Sequence, residues 1–91
     1  MIRKARISSV RPVRGKHALQ VEFADGKRYD VDLREHIRQF PVFQPLEGLS
    51  LFGTAQVGGW GFDVNWGDDL ELAVVSLHRL ALEQAGEVMT G

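Results

Sequence analysis

No cysteine occurs in the 91 residues. A disulfide framework, a thiolate zinc site and a cysteine nucleophile are therefore excluded, and the composition suits a reducing compartment, with the cytoplasm as the expected location. Long apolar runs are also missing: no stretch approaches the ~20 apolar residues that cross a bilayer. The opening Met1-Ile2-Arg3-Lys4-Ala5-Arg6 is not followed by the apolar segment of a secretory signal. Negative charge is absent from the start of the chain. Arg3, Lys4, Arg6, Arg11, Arg14 and Lys16 all precede the first acidic residue, Glu22. The rest of the chain sets 12 acidic residues against Lys27, Arg28, Arg34, Arg38 and Arg79, an excess of negative charge that the overall −1 conceals.

What is present is enough for one core. At this length a chain buries roughly two-thirds of its unfolded surface, and 44% of the residues are hydrophobic, so residues 1–91 are expected to form a single domain. Leu19, Val21 and Phe23 alternate with polar neighbours, Asp25-Gly26 signals a turn, and Tyr29, Val31 and Leu33 alternate again. A two-residue loop would send the two apolar rows to opposite faces. A three-residue loop, Ala24-Asp25-Gly26 with a left-handed Gly26, pairs Val21 with Tyr29 and Leu19 with Val31 and keeps them together. Gln20, Glu22, Arg28, Asp30 and Asp32 then face outward. A second hairpin is predicted over residues 54–66, turning on the two-residue loop Gly58-Gly59. It would pair Val57 with Trp60 and Ala55 with Phe62, with Trp60 and Trp66 both on the apolar face.

Leu33, Ile37 and Phe40 are spaced for a short helix ended by Pro41, and Pro41 to Pro45 reads as extended. Leu46 to Phe52 is expected to make one further turn. Val74 to Gln84 is the main helix, with Val74, Leu77, Ala81 and Ala85 on one stripe, Leu80 widening it and Gly86 as its stop. Ile7 to Val10 fits an edge strand, since Pro12 cannot donate a ladder hydrogen bond. The fold class is thus α+β: an antiparallel sheet from two β-hairpins plus an N-terminal edge strand, packed with a C-terminal helix and short connecting helices.

Val21-Glu22-Phe23-Ala24-Asp25-Gly26-Lys27, Val31-Asp32-Leu33, Phe43-Gln44-Pro45-Leu46, Leu51-Phe52 and Trp66-Gly67-Asp68-Asp69-Leu70 match in order and spacing a known set. Over roughly residues 6 to 82, with Leu77, Leu80 and Ala81 in the helix, the chain resembles the bacterial domain of unknown function 2442. The resemblance implies a small bacterial or phage α+β domain without an established role, and it transfers no catalytic residue. Some relatives carry an added helix-turn-helix DNA-binding domain, which these 91 residues leave no room for. Others stand beside a second small protein in arrangements that suggest toxin–antitoxin pairs. The chain departs from the pattern at Trp66-Gly67-Asp68-Asp69, where Pro or Asn often follows the Trp, and at Ala73-Val74-Val75, where a more polar helix start is usual.

Chemistry-bearing sets are thin. His17, His36 and His78 have no metal-ligand spacing, so no metal or other cofactor is expected. Asp30 with Asp32, and Asp68 with Asp69, read as a solvated strand face and a turn. Serines 8, 9, 50 and 76 lack a nucleophile elbow, and Gly58 to Gly61 lacks the context of a phosphate cradle. Gly61, beside two large aromatics, is read as leaving space for a neighbouring backbone.

Two candidate contact sets remain. Arg3, Lys4, Arg6, Arg11, Arg14 and Lys16 could meet an anionic partner, although no aromatic interleaves them in the sequence. Phe40, Val42 and Phe43 form an apolar segment that could dock a protein. The expected function is a non-enzymatic interaction or regulatory module with a protein partner, such as one half of a toxin–antitoxin-like pair. Nucleic-acid association through the basic stretch is the alternative, and a small-ligand binder or enzyme ranks last.

Overall fold

The structure, a computed structural model, describes residues 5–67 and 69–86. Strands β1 (Ile7–Pro12), β2 (Ala18–Phe23) and β3 (Arg28–Asp32) form one antiparallel sheet in that order. The short helix α1 (Arg34–Gln39), a 3-10 segment (Pro41–Glu47) and the single turn α2 (Leu49–Phe52) lead to a second antiparallel sheet. That sheet consists of β4 (Gln56–Val57), β5 (Asp63–Trp66) and β6 (Leu70–Ala73), and helix α3 (Val74–Gln84) follows. The α+β class holds, with the apolar rows divided between two three-stranded sheets and β1 lying beside β4.

The first hairpin has the expected register, Val21 opposite Tyr29 and Leu19 opposite Val31. Gly26 takes φ 91°, and its N–H bonds the Phe23 carbonyl at 2.9 Å. β1 pairs along β2 as an edge strand, with its register broken between Ile7 and Ser9. On the opposite edge, the Gln84 carboxamide accepts from the Asp32 N–H at 2.7 Å and donates to the Asp32 carbonyl at 2.8 Å. A side chain of α3 thus stands in for a missing strand.

The second hairpin corrects the sequence reading. Val57 faces Val64 and Gln56 faces Asn65, not Trp60 and its neighbours, and residues 58–62 form a five-residue loop. Ala55 lies before the strand and pairs with nothing in β5. The new register differs from the expected one by an even number of residues, so Val57, Val64 and Trp66 keep a common apolar face. Trp60 and Phe62 leave it.

Pro41 to Pro45 also differs from expectation: it is helical, not extended. Pro41 presets φ at the first position of the 3-10 segment. The three-residue turn brings Phe43 and Leu46 to one side, and both are buried.

One core joins both sheets and α3. Leu19, Val21, Val31, Val64, Trp66 and Leu77 are at most 2% exposed, and sealing a leucine such as Leu77 from water contributes roughly 1.5–3 kcal/mol. The Trp66 indole N–H donates to the Phe52 carbonyl at 3.0 Å, so the ring is buried with its one donor satisfied. α3 begins without a capping side chain. Its first donor, the Val74 N–H, instead bonds the Phe62 carbonyl at 2.8 Å. The buried stripe is Val74, Leu77 and Ala81; Ala85, expected on it, is exposed at the C-cap, where Gly86 at φ 75° ends the helix.

Candidate interaction face

The basic stretch lies along one edge of the molecule. Arg3 and Lys4 lie outside the described residues; Arg6, Arg11, Arg14 and Lys16 are all exposed. Among the described residues the ion pairs are Arg28 with Glu22 at 3.1 Å and Arg34 with Asp32 at 2.9 Å. None of the four N-terminal cations is neutralised in this way. Arg11 borders a shallow concavity of about 410 Å³ on the outer face of the first sheet, with Gln20, Glu22, Arg28 and Asp30. Arg14 and Lys16, in the β1–β2 turn, border a groove of about 420 Å³ whose far wall includes Leu49 and Ser50.

Although no aromatic interleaves the basic residues in the sequence, the fold brings one to Arg6 from elsewhere in the chain. Its guanidinium lies 5.1 Å from the centroid of the Phe62 ring, within cation–π range. The reason is local. Gly61 takes φ 76°, and a Cβ there would lie 2.5 Å from the Ile7 carbonyl oxygen. Only glycine lets the loop backbone press so closely against the start of β1, as its reading as a close-approach glycine anticipated. Residues 60 and 62, on either side of it, are thereby carried to the basic strand.

Trp60 itself is 81% exposed and takes φ 65°. It is the one positive-φ residue other than glycine among the described residues. The sequence placed it in the core; the five-residue loop puts it in solvent. Phe62 is 40% exposed, and Val75, one residue beyond the Val74 N–H that bonds the Phe62 carbonyl, is 72% exposed. The sequence did hold a signal. A two-residue turn needs Gly58 and Gly59 only, so a third glycine at 61 marks a longer, tightly packed loop.

The other predicted set is split. Phe43 is buried, with its ring 6.5 Å from Trp66, so it leaves the contact surface; Phe40 and Val42 remain exposed. His36 lies 4.6 Å from the Phe40 ring and 5.3 Å from the Phe43 ring. Burial, and then the charge of Arg79, hold its imidazole below the ordinary value of 6.5.

His17 and His78 lie elsewhere. The first bonds the Glu47 carbonyl at 2.8 Å, and the second packs edge-on to Phe23 at 5.0 Å. Of the carboxylate pairs noted in the sequence, Asp68 lies outside the described residues. For Asp32, partial burial raises the pKa, but hydrogen bonds from the Arg34 side chain and N–H outweigh it and hold the carboxyl below 3.8. A pair that the sequence did not single out forms on the second sheet. The Asp63 carboxylate accepts a hydrogen bond from the protonated Glu71 carboxyl and repels its ionised form, which pushes Glu71 above its ordinary 4.5. The Asp63 carboxylate occupies the space that a Cβ on Gly58 would fill.

These features define an α+β domain of two small antiparallel sheets that presents a basic strand edge and an exposed aromatic loop side by side. The chain belongs to the family described as a protein of unknown function, DUF2442, whose model matches residues 7–83. A crystal structure from Nitrosomonas europaea ATCC 19718, named "Putative DNA Binding Protein", has the same fold with a TM-score of 0.81 at 24% sequence identity. The match covers 93% of this chain but 54% of that one, so the present chain spans about half the length of its structural neighbour. No curated protein matches it.

Proposed function

We propose that this protein acts by contact and not by catalysis, as an interaction module whose working face is the start of β1 together with loop 58–62. Trp60 carries the reading. An L-residue in the left-handed region costs roughly 1–2 kcal/mol, and a tryptophan left 81% exposed regains little of that by burial. Strain of this kind collects at ligand clamps and contact sites, and tryptophan and arginine dominate the energetics of interfaces. A protein partner, as in a two-protein toxin–antitoxin-like pair, is one occupant of such a face.

The test is recovery of tagged protein from its native host, wild type against W60A. A specific companion that is lost with W60A is the expected result. Equal recovery of any protein or nucleic-acid companion with both forms, or a protein that always emerges free of both, overturns the reading.

A second reading, nucleic-acid association, is favoured by Arg6, Arg11, Arg14 and Lys16, which form no ion pair among the described residues. The name carried by the Nitrosomonas protein is compatible with it. Binding that is unaffected by ionic strength would count against this version.

A further inference from the structure

We propose that the occupant of this face is a single-stranded nucleic acid, its bases stacked on Trp60 and Phe62 and its phosphates following β1. The proposal rests on the contact-face reading and deepens it by naming the ligand class.

Three observations point to one chemistry. Gly61 fixes the aromatic loop against the Ile7 backbone, so the exposed Trp60 and the Phe62 ring that Arg6 meets at 5.1 Å are the neighbours of the residue that touches the origin of the basic strand. Rings in that position suit base faces, and every base has one; this kind of binding tolerates sequence and adds a cation–π component from arginine. Among the described residues, cations without an ion pair continue from Arg6 through Arg11 to Arg14 and Lys16. The extended strand from Ile7 to Pro12 spans about 17 Å at about 3.3 Å per residue, and Arg14 and Lys16 carry the charge into the turn beyond it, room for several nucleotides. Finally, Glu22, the acidic residue across from Ser9 of β1, is neutralised by Arg28 at 3.1 Å, while Asp63 and Glu71 stand on the second sheet. Glu22 thus leaves the positive charge along β1 uncancelled, and Asp30 is the other acid that shares the concavity with Arg11.

A duplex hides the base faces that these rings would take, so single strands are favoured. A protein partner would need apolar surface for Trp60 and carboxylates spaced along β1 and its turn for the cations, whereas a polynucleotide carries both elements in every residue.

The full chain is titrated with fluorescein-labelled oligothymidylate and oligouridylate of about 12 nucleotides and with a duplex of equal length. The single strands are expected to bind more tightly than the duplex and to quench tryptophan emission. The buried Trp66 contributes little to that quenching, and W60F abolishes it. W60A and F62A should each weaken binding about tenfold with the salt dependence unchanged. R11A should instead lower the slope of log affinity against log salt by about 0.7. Absence of binding at low salt, duplex binding as tight as single strand, or indifference to both W60A and F62A overturns the proposal.

The companion-recovery experiment separates the two levels of inference. If oligonucleotides fail while a protein companion is still lost with W60A, the face is real and the ligand class is wrong. If oligonucleotides fail and recovery is also indifferent to W60A, both inferences fall.

Discussion

The two hairpin loops do different work with the same residue type. In loop 24–26, Gly26 takes φ 91° and an added Cβ would meet nothing within 4 Å. Besides reversing the chain, the loop only extends the β1–β2 ladder, its Ala24 N–H donating to the Arg6 carbonyl at 2.8 Å. In loop 58–62, Gly58 yields its side-chain space to the Asp63 carboxylate and Gly61 yields its own to the Ile7 backbone, with a strained, exposed tryptophan between them. The first loop keeps its contacts within the first sheet, and the second is a tertiary joint between the two sheets. A glycine's importance therefore follows from what occupies its missing side chain more than from its φ.

The largest expected effect breaks that contrast directly. Gly61→Ala combines left-handed strain with a collision against backbone that cannot swing aside, and should cost about 3 kcal/mol or more. Gly26→Ala meets only the conformational penalty, about 1–2 kcal/mol. Urea midpoints at constant m-value measure both. Equal losses at the two sites would show that the loop is not anchored on β1.

The tryptophans sharpen the same comparison. Trp66→Phe removes the indole donor at 3.0 Å from the Phe52 carbonyl and opens a void in the core, for a loss of about 2–3 kcal/mol. Trp60→Phe should lie within about 0.5 kcal/mol of wild type, as for other solvated positions. Trp60→Gly should gain up to about 1 kcal/mol by releasing the left-handed strain. A stabilising change at the centre of the contact face is the signature of a residue retained for something other than folding. Thermal melts of the three variants check the order, and a destabilised Trp60→Gly would contradict it.

The first sheet was legible because its order is local. Val21 and Tyr29 share a face whichever tertiary partner covers it, and one glycine at the turn fixes the register. α3 was legible through the spacing of Val74, Leu77 and Ala81 and the stop at Gly86. The second hairpin was not, because parity preserved the apolar face under more than one register. The Gly61–Ile7 approach and the bond from the Val74 N–H to the Phe62 carbonyl, both made outside the hairpin, hold the longer loop. The 3-10 segment escaped for a related reason. Two prolines suggest extension until Phe43 and Leu46 are seen to need the same side of the chain. Of the contact face, the charges could be read from the sequence, whereas the aromatic half required the fold.

The smallest expected effects concern protons, and they run in opposite directions in the two regions. His36, against Phe40 and Phe43, is held below 6.5 in the folded chain, so the unfolded chain binds that proton more readily. Its contribution to stability is complete above pH 6.5 and is lost as the pH falls below that value through the folded pKa. Glu71, beside Asp63 behind the aromatic loop, is raised above 4.5, so the folded chain binds its proton more readily. Its contribution is present below pH 4.5 and is lost as the pH rises through the raised value. At neutral pH, Glu71→Gln should therefore stabilise the protein slightly by ending the repulsion from Asp63, with the gain disappearing below pH 4.5. His36→Gln should flatten the loss of stability on acidification below pH 6.5. Melting temperatures of both variants across pH 4–8 check this, and a Glu71→Gln gain that persists undiminished in acid would show that the carboxyl pair does not strain the base of the loop.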